Sequence, residues 1–267
     1  MDARGVGLEV EHLRVRFGGL QAVDDVTLSV QPGHIDGLIG PNGAGKTTLF
    51  NAVSGFVRPE SGRIAFDGRT VTRMSSPRRA AIGLARTFQQ PGLVRTASVM
   101  ANLVMAQHAA MRTGVVRGVL GMASEEEKRL VEEAERVLES LAIDAFAGRG
   151  VASLPPGLVK LVELAAAVVR RPRLLLLDEP SAGLDAAETS ELARHLLQLE
   201  VELGFTCLVI DHDMRLVQQL AQNITVLSFG RVLAQGSWSD IRSDHDVIAA
   251  YLGDDATEEE VSALAPS

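Results

Sequence analysis

GPNGAGKT, residues 40–47, follows the apolar run IDGLI (residues 35–39) and precedes TLFNAV (residues 48–53). The order is strand, glycine-rich loop, helix, the setting in which GxxxxGK[ST] forms a phosphate-binding loop. Each residue type has a separate task. The glycines let backbone N–H groups converge on phosphate oxygens, and the helix directs its positive end toward them. Lys46 sets a cation on the outer phosphates, and the Thr47 hydroxyl is suited to Mg²⁺.

Outward from this loop, the chain reads as α/β. Leu174 to Leu177 form an apolar run ending in Asp178-Glu179, and residues 206–210 form another ending in Asp211-His212. Polar residues at strand ends lie where a parallel sheet places its active site. Asp178 would hold Mg²⁺ through water, and Glu179 would polarise an attacking water. Near the N-terminus, Leu8 and Val10, then Leu13, Val15 and Phe17, then Val26, Leu28 and Val30 recur at period two, with Gly18-Gly19 and Pro32-Gly33 as turns.

Residues 91–152 change to helical character. Ser124 with Glu127 reads as a capping box, and Leu130, Ala134, Val137, Leu138 and Leu141 recur at helical spacing. Glu125 with Arg129 and Glu132 with Arg136 are spaced for ion pairs on its solvated face. Residues 254–267 are acidic and rich in small residues, the composition of a disordered tail.

The chain has 267 residues, 46% hydrophobic and 22% charged, enough for one compact domain with a subdomain. A formal net charge of −8 argues against a nucleic-acid binder, which concentrates Lys and Arg against phosphates. The single cysteine, Cys207, lies in an apolar run and fits a reduced compartment. Neither a signal peptide nor a bilayer-spanning stretch is evident, so service to a membrane is expected from the cytoplasmic face, through a partner.

After Asp178-Glu179 come Pro180 and SAGLD (residues 181–185). With these the chain resembles the ABC ATPase family over nearly its whole length: phosphate loop, glutamine loop, signature, LLLLDEP strand, D-loop and switch histidine stand in order. The resemblance implies a P-loop α/β fold of the ABC type, with a RecA-like core, an N-terminal antiparallel β subdomain and an inserted helical subdomain at about 91–165. The ATPase domain would span 1–253. It also implies ATP and Mg²⁺. Phe17 would stack on adenine, and Val23, Gly40, Pro41, Asn42, Gly43, Ala44, Gly45, Lys46, Thr47 and Thr48 would line the nucleotide. Thr47, Gln89 and Asp178 would serve the metal; Glu179, His212, Gln89 and Lys46 would serve hydrolysis. Read singly, Phe17 is equally an ordinary core residue, Gln89 a polar loop residue and His212 a strand-end histidine.

FGGLxAV (17–23), GPNGAGKTTLFN (40–51), GLARTFQ (83–89), IDHDM (210–214) and AYLG (250–253) are similar to ATP-binding subunits of branched-chain amino acid transporters, a group that includes urea and short-amide importers. That resemblance implies a peripheral protein on the cytoplasmic face, two membrane permease subunits, an extracytoplasmic substrate-binding protein and no nucleic acid. Two segments depart from the pattern. The signature, normally close to LSGGQ, reads Leu154-Pro155-Pro156-Gly157-Leu158, and Ala101 stands where related subunits often carry Glu. Because a signature serves the other subunit's ATP, the first departure implies a paralogous partner, a heterodimer. Met100, Met105 and Met111 are either a docking surface or helical core. A lipid or lipopolysaccharide exporter ATPase, a soluble ABC protein and a non-hydrolysing regulatory subunit are the competing readings.

Overall fold

The apolar runs Ile35–Ile39, Leu174–Asp178 and Thr206–Ile210 are strands buried on both faces, which is why they lack polar alternation. Leu174 and Leu176 point into one core and Leu175 and Leu177 into another. The computed structural model describes residues 5–87, 92–108 and 123–252. Gln89, Met111 and residues 254–267 lie outside the described residues, as does the side chain of Ser124 with the capping box expected on it.

In chain order the elements are β1 (Leu8–Phe17), β2 (Leu20–Val30), β3 (Ile35–Ile39), α1 (Lys46–Ser54), β4 (Ser61–Phe66), β5 (Arg69–Thr70), α2 (Ser76–Ala81) and β6 (Leu84–Arg86). Then come α3 (Val99–His108), α4 (Ala123–Ser140), α5 (Pro156–Val168), β7 (Leu174–Asp178), α6 (Ala186–Leu203) and β8 (Thr206–Ile210). The chain continues with α7 (Met214–Leu220), β9 (Asn223–Ser228), β10 (Arg231–Gly236), α8 (Trp238–Ser243) and α9 (His245–Leu252). One sheet runs β2-β1-β4-β5 and is antiparallel; the other runs β10-β9-β3-β8-β7-β6 and is parallel except for its β10 edge. Among the described residues no helix is long and apolar enough to cross a membrane.

α1 lies between the sheets: Leu49, Phe50, Ala52 and Val53 join Leu8, Val10, Leu13 and Val15 from one sheet and Leu174, Leu176, Leu208 and Ile210 from the other. Bulges shift the register of β1 on either side of Leu13, and His12 takes φ 48. That change of phase turns even-numbered Leu8 and Val10 and odd-numbered Leu13 and Val15 toward one core. Phe17 does not continue the set and is 50% exposed. The opposite face of the parallel sheet is covered by α3, α4, α5 and α6, including Val137, Leu138 and Leu141 as the spacing predicts. The ion pairs of α4 differ from the expected ones. Lys128 meets Glu125 and Arg136 meets Glu133, both three apart, while the Arg136 side chain also donates to the backbone carbonyl of Glu132. Glu133 accepts from Arg171 at 2.6 and 3.1 Å, so this face also joins α4 to the turn after α5.

Two buried charges stand out. Arg79 is wholly buried, and its guanidinium donates to the carbonyls of Ala52, Val53, Thr72 and Met74. It therefore caps the last turn of α1, whose final carbonyls have no helical partner. Asp36, on β3, is buried, and its Oδ1 has no hydrogen-bond partner among the described residues. Burial pushes the Asp36 carboxyl up to about 6, against smaller opposing effects of His34 and the Asn223 N–H. A raised carboxyl favours the folded state below the unfolded value of 3.8, and that contribution is lost as pH rises through about 6. Ionised, the group costs about 3 kcal/mol. Asp36→Asn is therefore expected to be more stable than the parent at pH 7.5, by up to about 3 kcal/mol, with the gap closing toward pH 4. Denaturant midpoints of both proteins across this range test it; a pH-independent difference would exclude the carboxyl as its source.

Candidate nucleotide site

Register brings the chemistry to one edge. Leu38 on β3 pairs with Ile210 on β8, and Ile210 pairs with Asp178 on β7. The chain leaves β3 into the phosphate loop, β7 into Glu179 and β8 into Asp211-His212, all at the carboxyl ends of adjacent parallel strands.

The loop is held by backbone packing. Gly40 has φ 145, and a Cβ there would sit 2.1 Å from the Leu227 carbonyl oxygen; Gly45 has φ 100, and its Cβ would sit 2.4 Å from that of Ala22. Gly43 has φ 78 but open space around it, so its need for glycine is conformational alone. Gly230 N donates to Ala44 O at 3.0 Å, and Asp24 N donates to Gly230 O at 2.7 Å, fixing the β9–β10 turn behind the loop. Lys46 is buried, and its Nζ donates to the carbonyls of Gly40 (2.5 Å) and Pro41 (2.9 Å) across the loop. Asn42, Gly43 and Thr47 are exposed, Gly45 and Thr48 half-buried, and Pro41 and Ala44 buried. Exposed Phe17 ends β1, whereas the Val23 side chain is fully buried in the core behind the loop.

Opposite the loop, Asp178 is buried. Its Oδ2 accepts from Arg86 Nη2 at 2.7 Å, its Oδ1 has no partner among the described residues, and its N–H donates to Thr87 Oγ1 at 3.2 Å. Glu179 takes φ 49, a left-handed conformation unusual for a non-glycine residue, and its N–H donates to Ile210 O at 2.8 Å. His212 Nε2 lies 2.9 Å from Glu179 Oε1; with an ionised carboxylate as acceptor, the imidazole donates. Asp211 binds both turns: it accepts from Ser181 N (2.9 Å), Ser181 Oγ (2.5 Å) and Asp213 N (2.9 Å). Burial raises the Asp211 carboxyl, and the Ser181 and Asp213 hydrogen bonds oppose that rise. Arg86 and Asp211 lie within the motifs GLARTFQ and IDHDM, yet only their distant partners disclose a role.

The signature segment opens α5. Pro155 is its N-cap with no side-chain cap, Pro156 stands at its first position, and Val159 N already donates to Pro155 O at 3.1 Å. Gly157 lies against Glu188 of α6; a Cβ at Gly157 would stand 2.5 Å from Glu188 Oε1. The Asp185 carboxylate accepts from Ala187 N and Glu188 N, and Glu188 Oε2 accepts from Asp185 N, a capping box that fixes the D-loop SAGLD beside the signature.

Replacing Gly45 by Ala imposes both a left-handed φ and the overlap with Ala22. We expect Gly45→Ala to lose nucleotide binding by tenfold or more and to destabilise the fold by about 2 kcal/mol or more. Equilibrium binding of a fluorescent ATP analogue and thermal unfolding check this; unchanged affinity would show that the loop tolerates a shifted backbone.

The ABC transporter family profile matches residues 23–182, and the profile for the branched-chain amino acid ATP-binding cassette transporter matches residues 231–257. The chain is 39% identical over 249 residues to the high-affinity branched-chain amino acid transport ATP-binding protein BraF of Pseudomonas aeruginosa, covering 92% of this chain and 98% of the relative. Identity and coverage are the same for LivG of Escherichia coli. Among solved structures, a nucleotide-free ATP-binding cassette from an ABC transporter superposes with a TM-score of 0.82 at 29% identity, covering 93% of this chain and all of the other. An ABC transporter cassette in its ADP conformation superposes with a TM-score of 0.83 at 29% identity, covering 93% of this chain and 99% of the other. The chain belongs to the ABC transporter ATPase family, in the group of branched-chain amino acid cassettes.

Proposed function

We propose that this chain powers an importer of branched-chain amino acids or related amides from the cytoplasmic face of the membrane, by hydrolysing ATP with Mg²⁺. The observation that carries the reading is the convergence of the phosphate loop, Asp178, Glu179 and His212 at the aligned ends of β3, β7 and β8. The names of BraF and LivG supply the transport class. Two membrane permeases, an extracytoplasmic substrate-binding protein and a second ATPase complete the assembly. The docking face for a permease is the groove of about 290 Å³ between core and helices, lined by Arg86, Thr87, Leu93, Asn102, Met105 and Arg170. Met105 is exposed there, whereas Met100 packs on the core.

The chain's own residues account for the steps. The loop N–H groups and Lys46 bind the outer phosphates, Lys46 turning from the Gly40 and Pro41 carbonyls toward phosphate oxygens. Phe17, exposed at the end of β1, offers a ring to adenine. Gln89 and the exposed Thr47 suit a hard cation directly, and Asp178, whose buried Oδ1 has no partner among the described residues, would hold it through a bound water. Mg²⁺, when bound, offsets charge on the phosphates. Glu179 orients the water for in-line attack, and His212, held against it, stabilises charge on the γ-phosphate. Asp211 keeps their two turns together through Ser181.

The second ATPase is a paralogue. Pro155 and Pro156 remove two N–H groups and the serine hydroxyl from the start of α5, so this signature grips a partner's γ-phosphate weakly while its own site is complete. Glu179→Gln in the assembled transporter is expected to lower ATPase activity about a hundredfold with ATP binding retained, and the matching change in the partner subunit is expected to lower it far less. Similar losses from the two variants would refute the asymmetry, and undiminished turnover of Glu179→Gln would refute the role of Glu179.

A further inference from the structure

Arg86 closes β6, three residues before Gln89, and its side chain is only 8% exposed. Its guanidinium is shared among three elements. Nη2 donates to Asp178 Oδ2 at 2.7 Å, and Nη1 donates to Asn51 Oδ1 at 2.7 Å and to Ser54 Oγ at 3.0 Å on α1. The rings of Phe50 and Phe56 lie 5.7 and 5.9 Å from the guanidinium carbon, within cation–π range. These contacts leave the arginine little rotameric freedom. Only a planar fork with several donors meets acceptors in such different directions.

The Asp178 side chain is 1% exposed, and a carboxylate so buried is stable in its charged form only beside a compensating charge. Arg86 supplies that charge and engages one oxygen, leaving Oδ1 without a partner among the described residues. Thr87 adds a second link by accepting from the Asp178 N–H, and Thr87 N donates to Leu176 O at 3.0 Å. We propose that Arg86 is a positioning residue of the metal site, fixing Asp178 by Oδ2 so that Oδ1 serves a Mg²⁺-bound water, and tying that carboxylate both to α1 and to the strand leading to Gln89. The proposal rests on the reading of Asp178 as the metal-side carboxylate. Such outer groups orient a carboxylate toward its metal and tune affinity without touching the ion.

The test uses the full chain saturated with a non-hydrolysable ATP analogue, with Mn²⁺ binding followed by its paramagnetic resonance signal and analogue binding measured separately in EDTA. Arg86→Met is expected to weaken Mn²⁺ on the order of tenfold or more, with analogue affinity in EDTA changed by no more than about twofold. Arg86→Lys is expected to restore part of the Mn²⁺ affinity, since it returns charge without the fork. Asn51→Ala, which removes one tether of Arg86 and leaves the ion pair, is expected to weaken Mn²⁺ several-fold and carries the test if Arg86→Met fails to fold. Unchanged or tighter Mn²⁺ binding in a folded Arg86→Met, or no shift in Asn51→Ala where that variant carries the test, overturns the proposal. Asp178→Asn separates the two levels: if it weakens Mn²⁺ while the Arg86 variants do not, only the positioning role falls. If Asp178→Asn leaves Mn²⁺ unaltered, the reading of Asp178 falls as well.

Discussion

At Gly40 and Gly45 the phosphate loop runs so close to the backbone of Leu227 and Ala22 that a methyl group at either position would overlap a carbonyl oxygen. The loop is thus wedged between the start of β2 and the end of β9, and its curvature is imposed from outside as much as by its own glycines. Everything at the site is placed relative to that wedge. β3 enters it from the centre of the parallel sheet, α1 leaves it into the space between the sheets, and Gly230 fastens the β9–β10 turn to Ala44. Arg79 then terminates α1 with no carboxylate partner among the described residues, its guanidinium spread over four carbonyls. Burial lowers that guanidinium to about 10, still far above neutral pH, so the cap keeps its charge under ordinary conditions.

The parts of the site legible in the sequence are those whose chemistry is local. In residues 40–47 glycine, lysine and threonine each have a task fixed by their neighbours, and the paired carboxylates after LLLL mark a strand end by position alone. The buried strands were equally legible, since four successive leucines have no solvent-facing alternative in a compact fold. What stayed hidden depends on partners far along the chain. Arg86 meets Asp178 across 92 positions, and Ser181 meets Asp211 across 30, so neither pairing leaves a trace in local spacing. The ion pairs of α4 could be placed on its outer face but not assigned, because side chains three and four apart compete for the same partner and Arg171 enters from outside the helix. Val23 is buried in the core, its backbone close to Gly230 of the turn behind the loop.

The altered signature is written into an otherwise well-formed helix start. Proline is favoured in the first turn because φ is already set and the missing N–H has no helical partner there. Pro155 and Pro156 therefore keep α5 firmly begun while leaving its start without two backbone N–H groups. Glu188 lies so close to Gly157 that a side chain there would overlap it, and the same Glu188 closes the capping box after SAGLD.

The position of β3 in the sheet has a consequence for how the chain comes into being. Its neighbours on both sides, β8 and β9, are drawn from the last quarter of the sequence. On a ribosome adding about 5–20 residues per second, β3 emerges roughly eight to thirty-five seconds before the first of the strands that will flank it. Throughout that interval IDGLI is an apolar segment with both edges open, the kind of segment that pairs with the wrong chain. The nucleotide site is consequently among the last features to form, and a chain interrupted before residue 206 would carry the whole phosphate-loop sequence without the strands that flank β3.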